Sequence, residues 1–195
     1  MEQPVSRSDV ADIAQYEKIR PGFRARVLAE KEHRRVAVGP HFNFTFENRL
    51  SVLYQIQEMM RVERIVDEAA ISHEIETYNE LLPSGGGLAA TLFIEYQTPA
   101  ERAVHLPKLL GVERGVRLEV DDLPPVAAEF DRRQVGEDRV SSVQYLRFPL
   151  QEAHRRAWLE AARQGTLHLV VEHPHYRHRA AIGLPVAEAL AADFA

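Results

Sequence analysis

Between residues 42 and 83 the hydrophobic period changes once and then holds. Phe42, Phe44 and Phe46 alternate with His41, Asn43 and Thr45, which is the two-residue period of a strand. Beyond Asn48 the apolar residues recur at helical spacing: at ~100° per residue, Val52, Leu53, Ile56, Met59 and Met60 share one arc. Asn48 belongs to the residue class that caps a helix start, and Asp67 offers a second cap. Ile71, Ile75, Tyr78 and Leu82 then make the apolar face of a second helix, which Asn79, Pro83 and the run Ser84-Gly85-Gly86-Gly87 stop. The link between the two helices is short, so they are expected to pack antiparallel.

This helix pair carries carboxylates that do not sit plainly on a wet face. Glu47, Tyr54, Glu58 and Arg61 lie opposite the apolar arc, whereas Glu63 falls within it. A carboxylate buried there needs a partner, because burying it bare costs several kcal/mol. Either the helix ends by Arg64 and Glu63 turns to water, or Glu63 pairs with Arg49, Arg61 or Arg64, or it serves a site. Glu74 stands beside Tyr78 at the edge of the second face, and Glu95 lies in a strand with large apolar groups on both sides. Glu58, Glu63 and Glu74 could approach across the pair, and carboxylates offered inward by two helices can hold a divalent metal or iron. The Glu-x-x-His signature of di-iron helices is absent from both helices. His173 and His175 would project to one side of a strand and could ligate a metal; Pro174 between them favours an exposed turn instead.

Composition excludes several classes. There is no Cys, which removes thiolate catalysis, thiolate metal sites and disulfides together. The net charge of −5 gives no global pull toward nucleic acid or anionic membrane. No apolar run approaches the ~20 residues of a membrane span, and the first residues lack the apolar core of a secretory signal, so the cytoplasm is expected. Gly85 to Gly87 have no Lys-Ser/Thr ending and precede a strand, which fails as a phosphate loop. No basic residue interleaves the Phe stripe, and no Gly-x-Ser-x-Gly supports a serine triad.

Along the rest of the chain, residues 8–20 and 23–33 read as two helices broken by Pro21-Gly22. Strands are expected over 88–97, 116–120, 140–148 and 167–172, and helices over 99–110, 151–164 and 185–194. Residues 127–138 are polar and carry no assignable period. One domain over 1–195 is expected, made of N-terminal helices (8–33), the central pair (47–82) and a strand/helix remainder (88–195). The fold class is α+β, a mainly antiparallel sheet packed with a helix hairpin and flanking helices; a three-layer α/β arrangement is the runner-up.

The runs RRVAVGPHFNFTFENR, YQIQEMMRVERI, ETYNELLP and ATLFIE, with the late HPHY and LAADF, resemble the bacterial domain-of-unknown-function family 3501 over nearly the whole chain. The family has no established activity. The resemblance implies an accessory or binding protein of an iron-dependent redox or peroxide-stress system, with rubrerythrin-like or iron–sulfur oxidoreductase partners. Its motifs coincide with Glu47, Asn48, Gln57, Glu58, Arg61, Glu63, Tyr78, Asn79 and Glu95. The candidate ligand-binding residues are accordingly Glu58, Arg61, Glu63, Glu74, Tyr78, Asn79 and Glu95. Glu58, Glu63, Glu74, His173 and His175 are the metal candidates. An anionic small molecule gripped by Arg61, or a carboxylate-held metal, are the alternatives to the accessory role.

Overall fold

A computed structural model describes residues 3–83, 85–131 and 136–194. Among the described residues there are six α-helices and two antiparallel sheets, the α+β class expected. The first sheet has the order β1-β2-β3-β7-β6, built from Arg35–Val38, Phe42–Phe46, Leu88–Ile94, Val143–Phe148 and Glu129–Phe130. The second has the order β5-β4-β8-β9, from Val126–Ala127, Val116–Val120, Leu167–His173 and Tyr176–Ala181. The stretch that sequence left unassigned is where the chain crosses between them. Val126 and Ala127 pair with β4 in one sheet, and Glu129 and Phe130 pair with β7 in the other, so Ala128 alone separates the two ladders. Residues 132–135 of that stretch lie outside the described residues.

The large core fills the space between the sheets. Phe42, Phe44, Phe46, Leu92 and Phe148 from the first sheet meet Leu118, Leu169 and Val171 from the second. Helix α5 (Glu152–Gln164) adds Trp158, whose indole N–H donates to the Ala187 carbonyl of α6 (Leu184–Ala191) at 3.0 Å. Tyr176 pins one edge: its hydroxyl donates to the Val38 carbonyl (2.7 Å) and accepts from the N–H groups of His41 and Phe42. A second, smaller core joins α2 (Arg49–Glu63) to α3 (Glu68–Asn79) through Val52, Ile56, Met60, Ile71, Ile75 and Leu82, with Val5 and Val10 from the N-terminal segment. Both expected caps form: Asn48 accepts from the Ser51 N–H, and Asp67 from the Ala70 N–H.

The break expected at Pro21-Gly22 does not occur. Helix α1 runs unbroken over Ile13–Glu32 with Pro21 inside it, capped by Asp12. Its hold on α2 explains the continuity: Tyr16 and Val27 are buried, and Phe23 sits 6.1 Å from both the Tyr16 and Tyr54 rings. Residues 99–110 are shorter than expected as a helix: α4 is Pro99–His105, and Pro107 opens a separate 3-10 turn because it has no N–H to continue the ladder. Arg34, just past α1, is buried and donates to the Phe46 and Ala189 carbonyls and to the Asp193 carboxylate, tying α1, β2 and the C-terminal segment together.

Candidate functional site: a cleft over a buried carboxyl group

Glu47 sits where β2 hands over to α2. Its N–H still donates to the Ala89 carbonyl on β3 (2.8 Å), so the backbone is fixed by the sheet. The side chain is only 2% exposed. Ser51 Oγ donates to one carboxyl oxygen and Thr91 Oγ1 to the other, each at 2.5 Å, and Gln55 Nε2 adds a longer bond at 3.3 Å. The local sequence makes this arrangement: Ser51 stands in the capping turn of α2, Gln55 one turn further, and Thr91 on the neighbouring strand. Both hydroxyls are buried behind the carboxyl group, so they orient Glu47 and present no nucleophile.

Above Glu47 lies a cleft of about 690 Å³ between α3 and the first sheet. Helix α3 contributes His73 and Thr77, which face away from Ile71 and Ile75, and Glu74 and Tyr78, which border that apolar face, Tyr78 also packing against it. On β7, Tyr145 and Arg147 are two residues apart and share a face. Their partners across the ladder are Thr91 and Ala89, small residues that leave the space open. Phe130, beside Leu146 on the edge strand β6, closes one end.

The polar groups of the cleft are electrostatically linked. Burial pushes the Tyr145 hydroxyl above its ordinary pKa, and the Glu47 charge adds to the effect. Burial likewise raises Tyr78, helped by Tyr145 and Glu74. Glu47, Tyr145, Tyr78 and Glu74 thus form one chain of interacting groups from floor to rim. The Arg147 guanidinium donates to the Glu80 carbonyl at the mouth.

Of the seven candidate ligand-binding residues, Glu74 and Tyr78 line this cleft and the other five do not, while Glu47, which the family motifs include, floors it. Glu58 faces α1: Arg20 holds it with two bonds (2.7 and 3.0 Å), the Tyr16 hydroxyl with one (2.7 Å) and Arg61 with another (3.2 Å). Arg61 is therefore occupied there. Glu63 is exposed, because α2 ends at it: Arg64 takes a left-handed conformation (φ 54°) that turns the chain away. Glu95 is also exposed, beyond the end of β3. Asn79 is bonded to Val5 on the opposite side of α3. The expected meeting of acids indoors does not take place, and the reason is local in each case: an αL helix end, a strand end, and an arginine-bearing neighbour helix. The rings of His173 and His175 stay close, with centroids 5.8 Å apart, but both nitrogens of His173 are engaged. His173 accepts from the His175 N–H at one ring nitrogen (3.3 Å) and bonds the Leu110 carbonyl through the other (3.0 Å), while His175 sits exposed in the β8–β9 turn. Among the described residues no group of three or more His, Asp or Glu stands close enough to hold a metal ion.

The residues that sequence did not single out for the site are Glu47's supports and the far wall: Ser51, Thr91, Tyr145, Arg147, His73 and Phe130. A signal existed for two of them, since Tyr145 and Arg147 alternate with the apolar Leu146 and Phe148.

Among curated proteins none matches this chain. It is similar to a crystal structure of a novel protein of unknown function from Burkholderia pseudomallei K96243, with a TM-score of 0.88 and 37% identity, covering 98% of this chain and 99% of that one. The family described as "Protein of unknown function (DUF3501)" matches residues 4–194, and the chain belongs to it.

Proposed function

We propose that the protein is a small-molecule-binding protein and that the cleft between α3 and the first sheet is its site. The observation that carries this reading is a cleft of about 690 Å³ floored by a buried carboxyl group and walled by aromatic rings. Pockets of this size suit a small organic ligand. A carboxylate has about four acceptor positions, and three donors are already on Glu47, which leaves one for a ligand's N–H or O–H. Glu47, Glu74 and Glu129 line the cleft against Arg147 and His73. Together with Tyr78, Tyr145 and Phe130 they favour an organic cation with an apolar or aromatic body: an amine or a guanidine. The anionic ligand that Arg61 would grip has less support, because Arg61 belongs to the Glu58 cluster away from the cleft.

Calorimetric titration and thermal shift against aryl and alkyl amines, guanidines, carboxylates and phosphates test the reading. Amines or guanidines should stabilise the protein, and the rim variants Glu74→Gln and Tyr78→Phe should weaken the effect at least several-fold. A response confined to anions, or one indifferent to both variants, refutes it. The resemblance supports a place for this binding protein beside rubrerythrin-like or iron–sulfur oxidoreductase proteins. Co-purification tests that setting separately; failure to retain either class removes the setting and leaves the ligand reading standing.

A further inference from the structure

Residues 3–11 lie as a strap across α2 and α3, and the way they are held is that of a bound peptide. The Asn79 side chain grips the backbone of Val5 twice, accepting from its N–H and donating to its carbonyl, both at 2.9 Å. Gln57 does the same to Ala11, accepting at 2.8 Å and donating at 3.1 Å. Such amide clamps read main chain and are indifferent to the side chain carried. Between them Val5 and Val10 are the two anchors, 2% and 4% exposed, inserted among Val52, Ile56, Ile71 and Ile75. The rim is charge-complementary: Arg7 makes a two-pronged pair with Glu68 (2.8 and 2.9 Å), and Asp9 pairs with Arg49 (2.6 Å). The remaining strap residues, Gln3, Pro4, Ser6 and Ser8, are exposed.

Backbone clamps, two side-chain pockets and an oppositely charged rim are the parts of a peptide-recognition groove. They are distinct from the cleft, which opens on the other face of α3. We propose that the α2–α3 pair is a peptide-binding groove occupied in cis by the chain's own strap, and that its partner is a protein segment of the pattern Val-x-Arg-x-Asp-Val, which takes the strap's place. Residues 5–10 are that pattern. Occupation in cis makes the groove self-limiting: a partner segment binds at the affinity of the empty groove reduced by the fraction of time the strap is down.

The probe is a labelled synthetic peptide of residues 3–11, titrated into the full-length chain. In the variant Val5→Asp/Val10→Asp the strap is disabled while every groove residue is retained. It should bind the peptide at least tenfold more tightly than the unaltered chain, and adding Gln57→Ala and Asn79→Ala should abolish binding. A folded strap variant that fails to bind, or binding that survives loss of both clamps, overturns the proposal. If the strap variant does not fold, hydrogen exchange on the unaltered chain decides. The amides of Val5 and Ala11 should exchange well ahead of those of Ile56 and Ile75; exchange of all four together means that the groove never empties without unfolding, and the proposal falls.

Discussion

Glu58 is where acid should act on this protein. The Arg20 guanidinium, with the Tyr16 hydroxyl and Arg61, holds its carboxyl down to about 2 from the ordinary 4.5. A carboxyl group depressed in the folded state stabilises fully above its unfolded pKa, and that stability disappears as the pH falls through the folded value. The window here is therefore from about 4.5 down to about 2. At 1.36 kcal/mol per pKa unit, and discounted because both Arg20 and Glu58 are partly exposed, the cluster contributes on the order of 2 kcal/mol at neutral pH. Glu58→Gln should lose about that much at pH 7 and flatten the acid limb of the stability profile, read by denaturant unfolding between pH 2 and 6. An unchanged acid limb would place the pH sensitivity elsewhere. In the same helix, Glu63 follows the first of the readings its sequence left open, the one in which the helix ends by Arg64 and the side chain turns to water. The angle of Glu63 on an ideal helix put it inside the apolar arc, but one αL residue, Arg64, ends the helix and takes the side chain to water. A change of one φ angle outweighs a correct periodicity.

At the scale of elements, what depends on neighbours in sequence was legible. Asn48 and Asp67 cap the helices expected of them, Gly165 ends α5 in the left-handed region (φ 73°), and β4 spans Val116–Val120 as its alternation implied. What depends on distant pairing was not. The crossing of residues 126–130 between sheets, and the Thr91–Tyr145 register that builds the far wall of the cleft, have no local signal. Helix α1 lies between the two cases, because its tertiary contacts override a breaker. Pro21 offers no N–H to the carbonyl one turn before it, and a proline in a helix interior costs ~3 kcal/mol where nothing compensates. Pro21→Ala should therefore raise stability, by about 1–2 kcal/mol after allowing for the freedom it returns to the unfolded chain. A lower melting temperature would mean that α1 needs the proline's geometry to reach α2. Gly115 gives the opposite sign. A Cβ there would lie 1.9 Å from the Glu172 carbonyl oxygen, at the point where β4 begins beside β8 and the Glu172 N–H donates to the Gly115 carbonyl. Gly115→Ala should cost about 3 kcal/mol or more by forcing the strands apart, and circular dichroism with thermal melting would show it. A near-neutral result would require the β4 entry to be slack.

The whole molecule is two apolar cores of unequal size joined across an unfilled space. The larger core packs both sheets with α5 and α6; the smaller is made by α2, α3 and the two strap valines. Helix α3 is the least supported element of the join. One of its faces rests on α2 and the strap, and the other looks onto the cleft, where packing atoms are missing by construction. A region with few apolar contacts and one open face opens at a free energy below that of global unfolding. Native-state hydrogen exchange should therefore resolve two levels. Amides such as Leu92 on β3, buried between neighbours on both sides, should exchange only with global unfolding. Those of Ile71 and Ile75 should exchange earlier, through a sub-global opening of α3 with little dependence on denaturant. A ligand seated on Glu47 and Tyr78 would bridge the two bodies; it is released by the opening of α3 as by global unfolding, so it should raise both levels by RT ln(1 + [L]/Kd), while leaving unchanged the low-level openings that keep the site intact. If Ile75 and Leu92 exchange at the same free energy in the absence of ligand, α3 is locked to the sheet by something other than apolar packing. The cleft would then be a rigid cavity that opens only with the whole fold.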